Sequence, residues 1–378
     1  MPILRLARTA ALSTALSAFA ALPGHAGGLA DMLAILPATV PVTDGAMVDY
    51  LDLTAFDFTD AADLRRASAG QSPLIEALRY AGFDIAAVEA AAGLPWSAFT
   101  AIVTYGEPPG RGFLYGVEPE ALAASEVAER LTDSGFQLEQ RAAGPVYWLL
   151  EDGRMDFAAH DPENPFIGGL PISSRVLLLD DAIANVRFWA MVDTLDAVAT
   201  GALPNFAARA DVAALAEALE AQGQVTQALI TATQEDPPNP LSSIVGAADP
   251  LAAARQAQGM LAALVTPPPY SLMAIAEVAA EPRPLAVIAL TYRNADQADE
   301  AAAVLDEMFA THTRLSDGAP MSQPMTEGWS VGVVEAGGLH VAMLTAPSPL
   351  VEDRAYPLFG YLRQLLIVND LPVIWTHP

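Results

Sequence analysis

Residues 99–117 read FTAIVTYGEPPGRGFLYGV and carry the clearest structural signal in the chain. Two apolar runs rich in β-branched and aromatic residues, which favour strands, flank a segment of glycine and proline. Pro108 and Pro109 have no backbone N–H, and the segment lacks the glycine-lysine and Gly-x-Gly-x-x-Gly patterns of phosphate-binding loops. The stretch therefore predicts two strands joined by a structural turn. The alternative is an anion contact at Arg111, beside Tyr105.

The same pattern recurs near residue 280. There YSLMAIAEV and LAVIALTYR flank the turn AEPRP, and the helical run NADQADEAAAVLDEMFA follows. A hairpin is predicted around Gly337 and Gly338, with a further amphipathic helix after it. We therefore predict an α+β protein with two pseudo-repeated ββαββα lobes, in which largely antiparallel sheets carry helices packed on one face.

Proline-rich segments mark the predicted boundaries, above all TQEDPPNPLSS at residues 233–243. The predicted regions are a signal peptide (1–26), a first α+β lobe with an acidic, helical N-terminal segment (27–232), a proline-rich linker and helix (233–270) and a second α+β lobe (271–378).

The first residues have the three parts of a secretory signal. Arg5 and Arg8 give a basic start, residues 9–22 are apolar and small, and Gly24 to Ala26 fit a cleavage site. The apolar run is shorter than the roughly 20 residues that span a bilayer. We therefore expect cleavage after Ala26 and a periplasmic location.

The remaining sequence predicts no membrane span. The most apolar later stretch, residues 356–375, contains Arg363, Asn369 and Asp370, and charges at mid-bilayer are costly. We interpret it as a buried helix followed by a short strand.

Charge and composition exclude several classes of function. The chain has 45 acidic against 18 basic residues and a formal charge of −27, which argues against nucleic acid as a partner. All the basic residues are arginine, so lysine Schiff bases and Walker-type loops are excluded. The absence of cysteine excludes disulfides, thiol nucleophiles and zinc-thiolate sites. We predict no cofactor and no metal.

The loop DFAAHDPENPFIGGLP at residues 156–171 is the first choice for a binding site. It gathers Asp156, His160, Asp161, Glu163 and Asn164, and a histidine flanked by carboxylates can bind a metal ion or act as a general base. The alternative is an ordinary surface loop whose polar side chains form turns. The predicted ligand-binding residues are thus Tyr105, Arg111, His160, Asp161 and Glu163.

Other polar and aromatic features have structural interpretations. The acidic stretch at residues 47–66 reads as a strand with one solvated face that leads into a helix, and Asp180-Asp181 reads as a hairpin tip. The pairs Tyr147-Trp148 and Phe188-Trp189 are assigned to core strands, near Arg175 and Arg187 as partners of local carboxylates.

These observations favour a non-enzymatic exported protein that binds an envelope or periplasmic protein partner. The alternatives are a protein that binds a small molecule or cation through the 156–171 loop, and a hydrolase that uses paired carboxylates or a histidine.

Overall fold

The structure is a computed structural model, in which a large antiparallel sheet carries helices. It describes residues 28–43, 46–60, 63, 66–67, 72–156, 161–167, 173–232, 251, 255, 265–314, 317–351, 354–355, 357–368 and 370–374. The predicted signal peptide, His160 and most of the predicted linker lie outside these ranges.

Twelve of the described strands form one sheet, and every neighbouring pair is antiparallel. The strands are β1 (Val48–Asp52), β2 (Phe99–Tyr105), β3 (Gly112–Val117), β4 (Gln137–Gln140), β5 (Pro145–Leu149), β6 (Ser174–Leu178), β7 (Ala182–Val186), β8 (Gln224–Thr231), β9 (Met273–Ala279), β10 (Leu285–Tyr292), β11 (Ser330–Ala336) and β12 (Leu339–Pro347). Their order is β11-β12-β10-β9-β8-β1-β2-β3-β7-β6-β5-β4. Two short strands, β13 (Leu350–Val351) and β14 (Arg354–Ala355), pair separately.

Residues 99–117 form a hairpin, as predicted. Strand β2 pairs with β3, and residues 106–111 make the turn. Asp180 and Asp181 lie at the tip of the β6–β7 hairpin, as predicted. Gly337 and Gly338 turn between β11 and β12 with φ of 55° and 75°, a conformation that glycine adopts without steric cost.

The described helices begin and end largely where the sequence signals lie. They are α1 (Leu29–Ile35), α2 (Pro73–Tyr80), α3 (Ile85–Ala92), α4 (Pro119–Ala123), α5 (Val127–Asp133), α6 (Trp189–Ala199), α7 (Ala210–Glu220), α8 (Ala295–Thr311) and α9 (Leu358–Ile367). Asp84 caps α3 by accepting hydrogen bonds from the N–H groups of Ala86 and Ala87, and Gly93 ends that helix with a φ of 73°. Across these ranges, no helix has the length and apolarity to cross a bilayer.

Helices cover both faces of the sheet, which corrects the prediction of one helical face. On the first face, marked by Tyr50 and Val103, one core continues beneath α1, α6 and α7. On the second face there are two separate cores. Leu51 and Ile102 lie in the core beneath α2, α3 and α5, and α8 and α9 cover the other. Since alternate residues of a strand point to opposite faces, the central strands contribute apolar residues to the cores on both sides.

The predicted lobes share this one sheet, because β8 pairs with β1 on one side and with β9 on the other. The acidic strand β1 is therefore covered on both faces, and the prediction of a solvated face is wrong. Two element assignments also differ from the sequence prediction. Trp189 begins helix α6, and residues Pro372–Ile374 form a short 3-10 turn where a strand was expected.

Candidate functional site

Polar residues separate the two cores on the second face of the sheet. Asp49 of β1 lies directly opposite Thr104 of β2 in the strand ladder. Gln227 of β8 lies opposite Glu277 of β9, and both are 1% exposed. The ladder therefore places four polar side chains in two adjacent rows at the centre of the sheet, where neighbouring rows are apolar.

A pocket opens at this polar boundary, and helix α9 forms its outer wall. It is small, and it is lined by Asp49, Tyr50, Leu51, Ile102, Thr104, Gln227 and Phe359. Strands β1, β2 and β8 form the floor, and Phe359 comes from α9. The site thus combines an apolar wall with a carboxylate, a hydroxyl and an amide.

Asp49, which lines the pocket, contacts Arg363 of α9. Arg363 Nη2 lies 3.4 Å from Asp49 Oδ2, a long distance for a charged hydrogen bond, and the two side chains are 21% and 28% exposed. Arg363 Nε is buried and has no hydrogen-bond partner among the described residues. The guanidinium therefore has one buried N–H without an acceptor among the described residues.

Burial raises the pKa of the Asp49 carboxyl above its ordinary value of 3.8, and the charges of Arg363 and Arg111 offset part of this rise. Burial disfavours the charged form, and nearby cations favour it. The carboxylate therefore lies in a poorly solvated place between two arginines.

Arg111, from the turn between β2 and β3, brings positive charge to this region. Its charge lowers the pKa of Asp49, and after burial it is the next cause that lowers the pKa of Arg187. Glu76 acts on Arg187 in the opposite direction. Arg363, Arg111 and Arg187 thus interact electrostatically with one another or with the carboxylates of Asp49 and Glu76.

A second polar cluster lies beside the pocket, around Glu277. Its Oε1 accepts hydrogen bonds from Arg66 Nε at 3.1 Å and from Thr226 Oγ1 at 2.9 Å. Its Oε2 is buried without a hydrogen-bond partner in the described ranges. Arg66 also pairs with Asp63 and lies 4.6 Å from the ring centre of Phe56. In this cluster, the partly exposed Arg66 holds the buried carboxylate of Glu277 by a hydrogen bond.

The structure separates Tyr105 from Arg111, although they are close in sequence. Tyr105 is 4% exposed and belongs to the core of the first face, and burial raises the pKa of its hydroxyl. Arg111 is half-buried and acts electrostatically on Asp49, which lies on the second face. Of this predicted pair, only Arg111 belongs to the surroundings of the pocket.

Asp161 and Glu163 belong to a turn that packs on the second face. The backbone carbonyl of Asp161 accepts a hydrogen bond from Asn164 N, and Glu163 is exposed. The carbonyl of Phe166 accepts hydrogen bonds from Asn185 and Ser174, which docks this segment on β6 and β7. His160, the other predicted member, lies outside the described residues.

Sequence reasoning missed Asp49, Thr104, Gln227 and Arg363 as site residues. A signal was present for Arg363, which is the one charged residue of the largely apolar helix α9. Within the described parts of the chain, no three acidic or histidine side chains are arranged to hold a metal ion.

Comparison with known proteins adds little to this geometry. No family model matches the chain, and no curated protein matches it. A solved structure described as "Structure of crystal form I of TP0453" is similar over 88% of this chain and 96% of that one, with 9% sequence identity and a TM-score of 0.31. A likeness at that level carries no information on the site or its chemistry.

Proposed function

We propose that this chain is an exported, non-enzymatic binding protein of the cell envelope, and that it binds a small polar ligand in the pocket beneath α9. The observation that carries the proposal is the contact between Asp49, which lines a half-apolar pocket, and Arg363, whose buried Nε has no hydrogen-bond partner among the described residues. Buried donors are normally paired, and a bound ligand would supply the missing acceptor. The export part of the proposal rests on the sequence of residues 1–26.

Native mass spectrometry of the protein purified from its own periplasm tests this proposal. We expect a co-purifying small mass that is reduced in Arg363→Gln and retained in Arg130→Gln. Arg130 is a suitable control because it lies on the surface and pairs only with Glu126 one helical turn away. A protein recovered from the cytoplasm would contradict export, and an equal ligand mass in both variants would contradict the pocket.

We also propose that the fold consists of two related halves. Each half begins with a helix and a strand, α1–β1 or α7–β8, and continues with a hairpin, β2–β3 or β9–β10. In each, a helical segment follows, and a meander then returns so that its last strand, β7 or β12, pairs with the second strand of the hairpin.

The two halves meet at the antiparallel pair β1–β8, and the pocket lies beside this pair. On this proposal the second half begins between residues 200 and 209, so β8 belongs to it. The halves differ in meander length and in the face that their last helix covers, since α6 packs on the first face and α9 on the second. Co-expression of residues 27–204 and 205–378 as separate chains is expected to give a complex, and its failure to form would count against two separable halves.

A second candidate function, binding of a protein partner, is favoured by the edge strand β11. Among the described strands it pairs only with β12, and it presents Val331, Val333 and Val334 with the single charge of Glu335. Exposed edges of this kind accept an extended segment as an additional strand. We propose that such a partner segment would pair here.

An edge substitution tests this alternative. Gly332→Lys adds a charge to the edge strand, and a Cβ at this position meets no atom within 4 Å. We expect loss of a co-purifying protein with Gly332→Lys and not with Glu139→Lys on β4, the opposite edge of the sheet. Equal loss of the co-purifying protein in both variants would mean that the added positive charge, and not the edge strand β11, is responsible.

A further inference from the structure

The edge strand β11 is flanked by a helix on each face of the sheet. On the second face α8 packs against β11 and β12, and on the first face α7 packs against them. Trp329, next to the start of β11, donates from Nε1 to Asp306 Oδ1 of α8 at 3.0 Å. Gly337, next to its end, donates its N–H to Glu217 Oε2 of α7 at 2.9 Å. Each contact brings an acidic side chain to the border of the edge strand.

Helix α8 is acidic on the side that borders β11. Its 17 residues include five acidic and no basic ones. Asp299 lies two helical turns before Asp306, so the two carboxylates share one side of the helix, about 10 Å apart along its axis. Both side chains are exposed. The side of α8 that Asp306 places at β11 therefore presents two carboxylates to the solvent.

These carboxylates are not neutralised by cations of the described chain. Within the described ranges, Asp299, Asp306 and the exposed Glu335 of β11 form no ion pair with an arginine or a histidine. Arg283 pairs with Glu327, three residues before β11, and so its charge is already matched. The border of this edge is therefore negatively charged.

The backbone of β11 provides the second part of a docking site. Among the described strands it pairs only with β12, so alternate N–H and C=O groups face away from the sheet. Val331 and Val333 pack on the second face, the face of α8. On the other face, a Cβ at Gly332 would meet no atom within 4 Å. An added strand would thus find apolar surface on the second face and open space on the first.

Resting on the partner binding proposed above for β11, we propose that the partner segment is an extended basic peptide in which arginine or lysine alternates with apolar residues. The peptide pairs with β11 as an additional strand. Its basic side chains lie on the second face, where their aliphatic stems cover Val331 and Val333 and their charged ends reach Asp299 and Asp306. Its apolar side chains lie on the first face, beside Gly332. A second copy of this edge would bring the same carboxylates together, so the partner is a different protein.

Synthetic hexapeptides of alternating arginine and valine, serine and valine, or glutamate and valine test the partner class. Fluorescence anisotropy measures their affinities. We expect saturable binding of the arginine peptide, at least tenfold weaker binding of the serine peptide, and no binding of the glutamate peptide. Hydrogen exchange followed by mass spectrometry locates the site. The arginine peptide is expected to protect amides of β11 and to leave β4, the opposite edge of the sheet, unchanged.

Matched variants connect the affinity to the proposed contacts. Asp299→Asn combined with Asp306→Asn is expected to weaken binding of the arginine peptide at least fivefold and to leave the serine peptide unchanged. Asparagine at position 306 keeps an acceptor for Trp329 Nε1. Glu120→Gln combined with Glu129→Gln removes the same charge from exposed positions on α4 and α5, and is expected to leave binding of the arginine peptide unchanged.

The outcomes separate this inference from the partner binding on which it rests. Equal affinity of the serine and arginine peptides, with protection of β11 by both, would overturn the basic partner and keep the edge as the binding site. Binding of the arginine peptide that is weakened equally in both double variants, or that leaves β11 unprotected, would mean attraction to the overall negative charge and would overturn the inference. No binding of any peptide would overturn both the inference and the partner binding at β11.

Discussion

The ring of Tyr105 lies directly over Gly112, its partner across the β2–β3 ladder. A Cβ atom placed on residue 112 would lie 2.5 Å from Cζ and 2.7 Å from Cε1 of Tyr105. Gly112 does not adopt a positive φ, so the need for glycine here comes from the space that the ring occupies. The end of this hairpin is thus fixed by aromatic packing.

We therefore expect Gly112→Ala to destabilise the protein by about 1–3 kcal/mol, the usual cost of overpacking a close-packed core. The added methyl must displace a buried ring that belongs to the core of the first face. Urea unfolding followed by tryptophan fluorescence measures the free energy of unfolding.

Gly110→Ala provides the matched control in the same turn. Its Cβ would meet Glu107 O at 3.4 Å and the Phe188 ring at 3.7 Å, which are ordinary contacts, so a change below about 0.5 kcal/mol is expected. The double variant Tyr105→Leu/Gly112→Ala should lose less stability than the two single changes added together. Simple additivity would show that the ring is not what excludes the methyl group.

Local sequence signals predicted much of this hairpin and several helix ends. Pro108 and Pro109 make the turn between two apolar runs, and Asp84 and Gly93, which are residue types that favour helix ends, cap a helix. In each case a few neighbouring residues determine the backbone. Such features can be predicted because the residues that cause them lie within the same short segment of the sequence.

The order of strands and the pocket could not be predicted in the same way. The pairing of β7 with β3, and the contact between Asp49 and Arg363, join residues that are far apart in the chain. The same pattern of apolar residues is compatible with helices on one face of the sheet or on both faces. The sequence therefore did not show that helices cover both faces. Phe188 and Trp189 have strand propensity, yet tertiary packing places Trp189 at the start of a helix.

Arg175 gives a second test of stability, because its side chain is fully buried. Its guanidinium donates to the backbone carbonyls of Arg187 and Leu150, pairs with Asp152 and lies 4.9 Å from the ring centre of Trp189. A lysine ammonium is compact and cannot reach these groups together. We expect Arg175→Lys to cost about 2–4 kcal/mol in urea unfolding, since hydrogen bonds to charged groups contribute about 1.5–3 kcal/mol each.

Arg209→Lys is the matched control for this change. Arg209 pairs with the nearby Asp211, is 30% exposed and lies over the ring of Phe206. We expect a loss below about 1 kcal/mol, as for exposed ion pairs. Similar losses of stability in both variants would mean that burial does not determine how much Arg175 contributes to the free energy of unfolding.

The pH dependence of stability tests the environment of Asp49. Burial raises its pKa above 3.8 despite the opposing charges of Arg363 on α9 and Arg111 on the turn. The Asp49 carboxyl therefore keeps its proton in the folded chain at pH values at which the same carboxyl has lost it in the unfolded chain. Stability from this group is present below 3.8 and is lost as pH rises through the folded pKa. Relative to Asp49→Asn, the wild type should become less stable as pH rises above 4.

Asp57→Asn gives a control with the opposite sign. Hydrogen bonds from Thr59 lower the pKa of Asp57, so its contribution is present above 3.8 and is lost as pH falls through the folded pKa. Urea unfolding of wild type and both variants from pH 3 to 7 makes the comparison. Parallel profiles for wild type and Asp49→Asn would show that the Asp49 carboxyl titrates alike in the folded and unfolded chains.

The buried carboxylate of Glu277 should be strongly coupled to Arg66. Arg66 Nε is 3.1 Å from Glu277 Oε1, and Glu277 is 1% exposed, so loss of either partner leaves a poorly solvated charge or donor. A double-mutant cycle with Arg66→Met and Glu277→Gln is expected to give a coupling of about 1–3 kcal/mol in urea unfolding. The hydrogen bond from Thr226 can persist to the glutamine, so the cycle isolates the arginine.

The pair of Arg66 with Asp63 is the control, because it joins the same arginine to a carboxylate that is 25% exposed. Solvent screens that pair, so its coupling should be below about 1 kcal/mol. Equal coupling energies in the two cycles would mean that water screens the Arg66–Glu277 pair as well. Burial of Glu277 would then not be the reason for a strong coupling. A larger coupling for Glu277 would mean that Arg66 stabilises the sheet by compensating the carboxylate buried opposite Gln227, at the edge of the pocket.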